Sequence, residues 1–291
     1  MPKAREVKSR IANISDIKQI TKAMNAIAMA KVTSLKKKIS NARPYYNSLT
    51  EKKRTLLRSS EEVKHPLLER NGSDVIGCLS LNSDRGLAGN YTIDINRSTR
   101  DFINSKDQTV TLFTGGDKGE RYFRSWGQME KSWVDFYTNP EFRHAEEIGS
   151  EMAARFSRGE MSELWVIYMK FYSDLKQELT IEKILPMAVE PKEGEEDIPS
   201  ASASDEYLYE PEEEEILDRF LISAFYEKIY WILLHTKTSE HAIRRRAMRD
   251  ATDNASELID ELTIAYNKAR QQQITREIAD IIGGAEALRG K

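Results

Sequence analysis

A lone cysteine, Cys78, in 291 residues excludes a disulfide within the chain and any zinc site built from several thiolates. It stands in the apolar run VIGCLSL, the setting of a buried small hydrophobe and not of a reactive thiol. Histidine is also scarce: His65, His144, His235 and His241 form no H-E-x-x-H pattern, and the last two, six residues apart, would face different sides of a helix. No run of eighteen apolar residues exists, so no membrane-spanning helix is expected, and the opening MPKAREVKSR lacks the apolar core of a signal peptide. Phosphate-binding fingerprints are missing too. The loops SDRGLAGN at 83–90 and TGGDKG at 114–119 follow candidate strands, yet neither has the spacing of G-x-x-x-x-G-K-[ST] or of G-x-G-x-x-G. These absences leave no catalytic residue, cofactor or metal to assign.

Proline does not recur after Pro211, and the next glycine is Gly283. The stretch therefore reads as one helix of about seventy residues, which at about 1.5 Å per residue would reach on the order of 100 Å. No compact core is that long, so the helix needs a partner. Met248, Ala251, Ala255, Leu258, Leu262, Ala265 and Ala269 recur at spacings of three and four, the rhythm of a left-handed coiled coil. Residues 1–58 offer a second such stripe in Ile17, Ile20, Met24, Ile27, Ala28, Val32, Leu35 and Ile39, with Pro44 expected to kink or interrupt the helix. An antiparallel coiled coil of the two terminal helices, 1–58 with 212–286, is the economical solution, and its many alanines permit close approach.

Between the arms the pattern changes to that of an α/β domain at 70–190. Strand-like runs at 75–81, 109–113, 164–172 and 179–185 alternate with helical candidates at 92–104, 118–126 and 141–158, and a further strand is expected at 129–133. This order favours a mostly parallel sheet covered by helices, with the last two strands pairing antiparallel. Residues 191–211 read as an acidic linker: positions 193–215 carry eleven acidic side chains and no lysine or arginine, so a formal net charge of −3 leaves the rest of the chain at +8. Basic groups concentrate on the arms, at Lys36 to Lys38 and at Arg244, Arg245, Arg246 and Arg249. They suit solvated helix faces or an acidic partner; without interleaved aromatics they do not suggest nucleic acid.

Four stretches in order, IKQITKAMNAIAMAKV at 17–32, SDRGLAGN at 83–90, YLYEP at 207–211 and ATDNASELIDELTIAYNKARQQQITREI at 251–278, resemble the gamma subunit of bacterial F-type ATP synthases, the central rotor shaft. The likeness spans essentially the whole chain. It departs at Ala88, where cysteine is frequent, and at Asn90, where a small residue is common; the dithiol insertion of chloroplast versions is missing. The resemblance implies a non-catalytic shaft inside a ring of three alpha and three beta subunits, in a 3:3:1 assembly with this chain. It also implies contacts with an epsilon subunit and a membrane-embedded c-ring, so that the chain would lie peripherally on the cytoplasmic face of a bacterial cell membrane. Carried over by motif, Arg270 and Gln271 would meet loops of the catalytic subunits, and Ile274, Ile278, Ile281 and Ile282 would turn in an apolar bearing. Met24, Lys22 and Lys31, together with Asp84, Arg85 and Gly86, would lie near an acidic segment of a beta subunit. Tyr207, Leu208, Tyr209 and Glu210 would form the foot on the c-ring and epsilon subunit. A coiled-coil tether with an α/β domain, or an α/β enzyme with helical arms, are the alternatives from other classes.

Overall fold

The computed structural model of the chain describes residues 4–59, 65–127, 129–187 and 213–289. The expected linker at 191–211, with Tyr207, Leu208, Tyr209 and Glu210, lies outside the described residues. Two compact units form: Met1–Met29 with Arg244–Lys291, and Ala30–Ile243. Helix α1 (Ala4–Ser59) and helix α5 (Glu213–Arg289) each contribute to both units.

In the unit Ala30–Ile243, five strands make one sheet: β1 (Val75–Leu81), β2 (Thr109–Gly115), β3 (Met129–Trp133), β4 (Glu163–Phe171) and β5 (Gln177–Leu185). Their order is β3-β2-β1-β4-β5, all parallel except the antiparallel β4–β5 pair. The crossovers are α2 (Tyr91–Asn104), α3 (Asp117–Arg124) and α4 (Phe142–Ser157). Strand β1 is central and apolar on both faces, as a strand between two helical layers must be. Ile76 and Cys78 pack with Phe102 and Phe123 of α2 and α3, while Leu79 and Leu81 belong to a core with Ile148 and Met152 of α4 and Phe225, Ile229 and Leu233 of α5. The expected strands and helices are all present, with ends displaced by one or two residues. Burial pushes the Cys78 thiol well above its ordinary range, in keeping with a structural role.

Two expectations about the arms need correction. Helix α1 continues through Pro44 without interruption. Proline forfeits one backbone bond to Ser40, but the following turn is held by the Tyr46 ring, which stacks on Trp231 at 4.5 Å and accepts Lys228 Nζ at 3.1 Å on its hydroxyl. A second cluster, Val32, Leu35 and Ile39 of α1 with Phe171, Leu234 and Ala242, anchors the same helix in this unit.

The second correction concerns register. On α1 the protected positions are Val7, Ile11, Ile14, Lys18, Thr21, Asn25, Ala28, Val32, Leu35 and Ile39, an unbroken alternation of spacings of three and four. Ile17, Ile20 and Ile27, expected in that line, are 54%, 59% and 62% exposed. On α5 the protected line is Met248, Thr252, Ala255, Ile259, Leu262, Tyr266 and Ala269; Leu258 and Ala265 fall outside it and Ala251 sits at its margin. In the unit Met1–Met29 with Arg244–Lys291, Thr252 Oγ1 meets Thr21 Oγ1 at 2.8 Å across the helix pair. The small residues Ala28 and Ala255 are among the most buried positions of the pair, while Ile17, Ile20 and Ile27 face outward.

Candidate partner-binding surfaces

The unit Met1–Met29 with Arg244–Lys291 exposes an unusual quantity of apolar surface. Ile17, Ile20, Ile27 and Met29 of α1 and Leu258, Ile264, Ile274, Ile278, Ile281 and Ile282 of α5 are all at least 43% exposed. Helices in water place such side chains inward, and exposed apolar surface on this scale marks a site that another molecule covers. Arg270, Gln271, Ile274, Ile278, Ile281 and Ile282 fall within an arc of about 120° on a straight helix at 100° per residue. The structure brings these six together on one face, outside the protected line. Met24 is half-buried, and Lys22 and Lys31 are exposed.

The loop 83–90, in the unit Ala30–Ile243, divides into an exposed tip and a buried root. Arg85, Gly86 and Leu87 are exposed, and Leu87 takes a left-handed backbone (φ 61°) with its side chain 60% in solvent. A non-glycine residue in that region is uncommon, and such positions cluster at functional sites. Ala88 turns inward and packs with Tyr91, Ile95 and Met169. Asp84, expected beside Arg85 and Gly86 on a contact surface, instead points into the protein. Its Oδ1 accepts the backbone N–H of Asp117 at 3.2 Å and of Asp135 at 2.9 Å, and its Oδ2 meets Lys237 Nζ at 3.2 Å.

Asp84 thus ties together the loops that follow β1, β2 and β3. Gly116 makes the crossing possible: at φ 92° its backbone lies so close to Asn82 that an added Cβ would stand 2.6 Å from the Asn82 carbonyl oxygen. Lys237 is fully buried, also bonded to Glu240 at 2.8 Å, and its ammonium lies 4.6 Å from the centre of the Tyr137 ring. Burial, with Tyr91, Asp84 and Glu240 nearby, raises the Tyr137 phenol, which stays neutral and donates to the Asn82 carbonyl at 3.0 Å. His235 completes the contact by accepting the N–H of Phe171, at the end of β4, on Nδ1 at 3.3 Å. Burial lowers its pKa to about 4, so the ring is neutral near pH 7 and its proton sits on Nε2.

The carboxyl ends of parallel strands, where the strand order reverses, are where open α/β sheets hold nucleotides. Here His235 and Lys237 of α5 meet the carboxyl ends of β4 and β1, through Phe171 and Asp84. Elsewhere in this unit a cavity of about 170 Å³ is lined by Tyr46, Pro186, Met187, Phe225 and Glu227, and burial pushes the Glu227 carboxyl up to about 7. Among the described residues no His, Cys, Asp and Glu cluster could hold a metal ion, and no helix is long and apolar enough to cross a membrane. Lys237, Leu87 and Thr21 escaped the sequence reading. Only Leu87 carried a local signal, as an apolar residue between two glycines.

Comparison with known proteins agrees with this architecture. A family model described as ATP synthase matches residues 3–288. The ATP synthase gamma chain of Exiguobacterium sibiricum is 37% identical over 290 residues, covering 99% of each chain. That of Desulfitobacterium hafniense is 36% identical over 290 residues, covering 99% of this chain and all of the relative. Among solved structures, a chain of the Euglena gracilis mitochondrial ATP synthase in rotational state 3 superposes with a TM-score of 0.64 at 17% identity, covering 98% of this chain and 94% of that one. A chain of the Tetrahymena thermophila mitochondrial ATP synthase central stalk and c-ring gives 0.60 at 19% identity, covering 80% and 99%. A protected helix pair with an apolar outside, an α/β sheet bonded at its carboxyl ends to α5, and matches along the whole length lead to one conclusion: the chain belongs to the ATP synthase gamma chain family.

Proposed function

We propose that this chain is the central-stalk shaft of an F-type ATP synthase and is not itself the catalytic subunit. Its two long helices form an antiparallel coiled coil that stands inside a ring of three alpha and three beta subunits. The observation that carries the reading is the exposed isoleucine face of the unit Met1–Met29 with Arg244–Lys291, a surface that needs a surrounding partner. An apolar, uncharged contact suits a bearing, because dispersion and hydrophobic contacts lack direction and do not lock one angular position. Arg270 and Gln271, a turn before Ile274, supply the directional contacts to the catalytic subunits. Lys22, Met24 and Lys31, with Arg85 and Gly86, contact an acidic segment of a beta subunit; Asp84 supports that loop from within.

The shaft works by asymmetry. A single rod cannot offer one face to three equivalent catalytic subunits, so each takes a different conformation and nucleotide affinity. Turning the rod permutes these states and exchanges torque for binding free energy. Tyr207, Leu208, Tyr209 and Glu210 form the foot that meets the c-ring and epsilon subunit, and the chain touches the membrane only through that ring, on the cytoplasmic face of the cell. Native mass spectrometry of the chain co-expressed with its alpha and beta subunits tests the reading, together with ATPase activity. A 3:3:1 particle that hydrolyses ATP supports it. A stable self-associated form that ignores alpha and beta would favour the coiled-coil tether instead.

A further inference from the structure

Lys237 is a fully buried ammonium in a buried polar run of α5, with His235, Thr236, Thr238, Ser239 and Glu240 beside it. Removing such a charge from water is costly unless partners offset it. Two carboxylates do, Glu240 on the same helix at 2.8 Å and Asp84 at 3.2 Å, while the Tyr137 ring covers the ammonium at 4.6 Å. The bond to Glu240 joins neighbours on one helix and carries no tertiary information. The bond to Asp84 spans 153 positions of sequence and ends on the residue that also holds the amides of Asp117 and Asp135. Immediately after Asp84 the chain turns out of the protein into Arg85, Gly86 and Leu87, and it returns at Ala88, which is 4% exposed. The tip is thus flanked by an ion-paired root and an apolar plug. The left-handed Leu87 lies between them.

We infer that Lys237 is the positioning residue of this docking loop: through Asp84 it sets the pose in which Arg85, Gly86 and Leu87 meet the beta subunit. The inference deepens the function proposed above and rests on the docking role given there to the loop. It also adds Leu87 to the contact set as its apolar member. Lys237 itself touches neither the partner nor nucleotide. Removing it leaves Asp84 on the amides of Asp117 and Asp135 but takes away the ion pair at Oδ2, so the root of the loop loosens and each encounter with the ring must select the productive pose from a wider set.

The test uses the full chain, alone and assembled with alpha and beta subunits. Lys237→Met is expected to speed amide hydrogen exchange at 85–89 at least tenfold and to lower ATP turnover of the assembly several-fold, with the KM for ATP unchanged within twofold. Adding Leu87→Ala to Lys237→Met is expected to cause no further loss, because both act through one tip. If Lys237→Met fails to fold, the variant carrying Lys237→Met, Asp84→Asn and Glu240→Gln together leaves no unpaired buried charge and is read in the same way. Unchanged exchange and turnover, or losses that multiply with Leu87→Ala, overturn the positioning role. If Leu87→Ala alone leaves turnover of a fully formed assembly untouched, the docking role fails, and the inference falls with it even where exchange responds to Lys237→Met.

Discussion

Thr252 Oγ1 lies 2.8 Å from Thr21 Oγ1, joining the two helices of the unit Met1–Met29 with Arg244–Lys291 through a pair of hydroxyls. Each hydroxyl also reaches a carbonyl of its own helix, Thr21 that of Lys18 at 3.0 Å and Thr252 that of Met248 at 2.7 Å. With one proton apiece, the pair forms a short chain in which one threonine donates across the helices and the other donates to its own backbone. Because both retain a local acceptor, neither is left stranded when the other is removed. Thr21→Val is expected to cost about 1 kcal/mol, and Thr21→Val with Thr252→Val to fall within about 0.5 kcal/mol of the parent, since two matched apolar groups replace the bond. Amide exchange at 15–28 measures both.

The register of α1 predicts opposite outcomes for adjacent residues. Ala28 is 1% exposed and Ile27 62% exposed. Ala28→Leu overpacks a tight position and is expected to destabilise by about 1–3 kcal/mol. Ile27→Gln is expected to leave the isolated chain within about 0.5 kcal/mol of the parent. Denaturant titration of both variants decides it, and the reverse ranking would restore the isoleucine stripe to the seam.

Gly116→Ala is expected to be severe. The new Cβ would meet the Asn82 carbonyl oxygen at 2.6 Å on a backbone at φ 92°, and both the strain and the clash fall on the crossing that Asp84 secures. A loss of about 3 kcal/mol or more is expected, visible as a lowered thermal midpoint. Gly72→Ala is the control, since nothing lies within 4 Å of its added Cβ.

Two buried groups pull stability in opposite directions with pH. His235 titrates at about 4 in the folded chain against an ordinary 6.5. Between those values the unfolded chain binds a proton that the folded chain refuses, so stability falls as pH drops through the window, by up to about 3 kcal/mol. Glu227 is raised from 4.5 to about 7, so there the folded chain keeps a proton that the unfolded chain has released, and stability falls as pH rises from 4.5 through 7. The two windows overlap and the trends offset each other there, so thermal midpoints from pH 4 to pH 8 are expected to fall more steeply with rising pH in His235→Gln and to rise more steeply in Glu227→Gln than in the parent.

Leu262 stands in the protected line of α5. Leu262→Pro removes a backbone bond and adds a ring clash, at about 3 kcal/mol or more, and breaks the stiffness a shaft needs. Proton-driven ATP synthesis in membranes carrying this variant is expected to be lost, and retained synthesis would count against the shaft.

The elements were legible because their signals are local. Absence of proline and glycine wrote the long helix, alternation of apolar runs and turn residues wrote the sheet, and the antiparallel β4–β5 pair followed from the short connection between those runs. The expected seam holds at Ala28, Val32, Leu35 and Ile39 and at Met248, Ala255, Leu262 and Ala269, but elsewhere it moves by one position, from Ile17 and Ile20 to the less apolar Lys18 and Thr21. Hydropathy ranks side chains one at a time, whereas the facing helix selects for fit. Lys18, Thr21 and Asn25 stand on the covered face beside Ile11, Ile14 and Ala28, and Ile17, Ile20 and Ile27 are left on the exposed one.

Asp84 shows the same limit in charge. A lone aspartate in a glycine-bearing loop reads as exposed, and nothing within a dozen residues reveals that Lys237, far along the sequence, stands beneath it. By itself the sequence determined where helices and strands begin and end, that no disulfide links the chain to itself, and which family motifs it carries, because composition and short-range periodicity govern these. Only the tertiary structure decided which face of each arm is covered, which loop residues turn inward, and that α5 meets the carboxyl ends of β1 and β4, because each depends on a partner side chain delivered from a distant part of the chain.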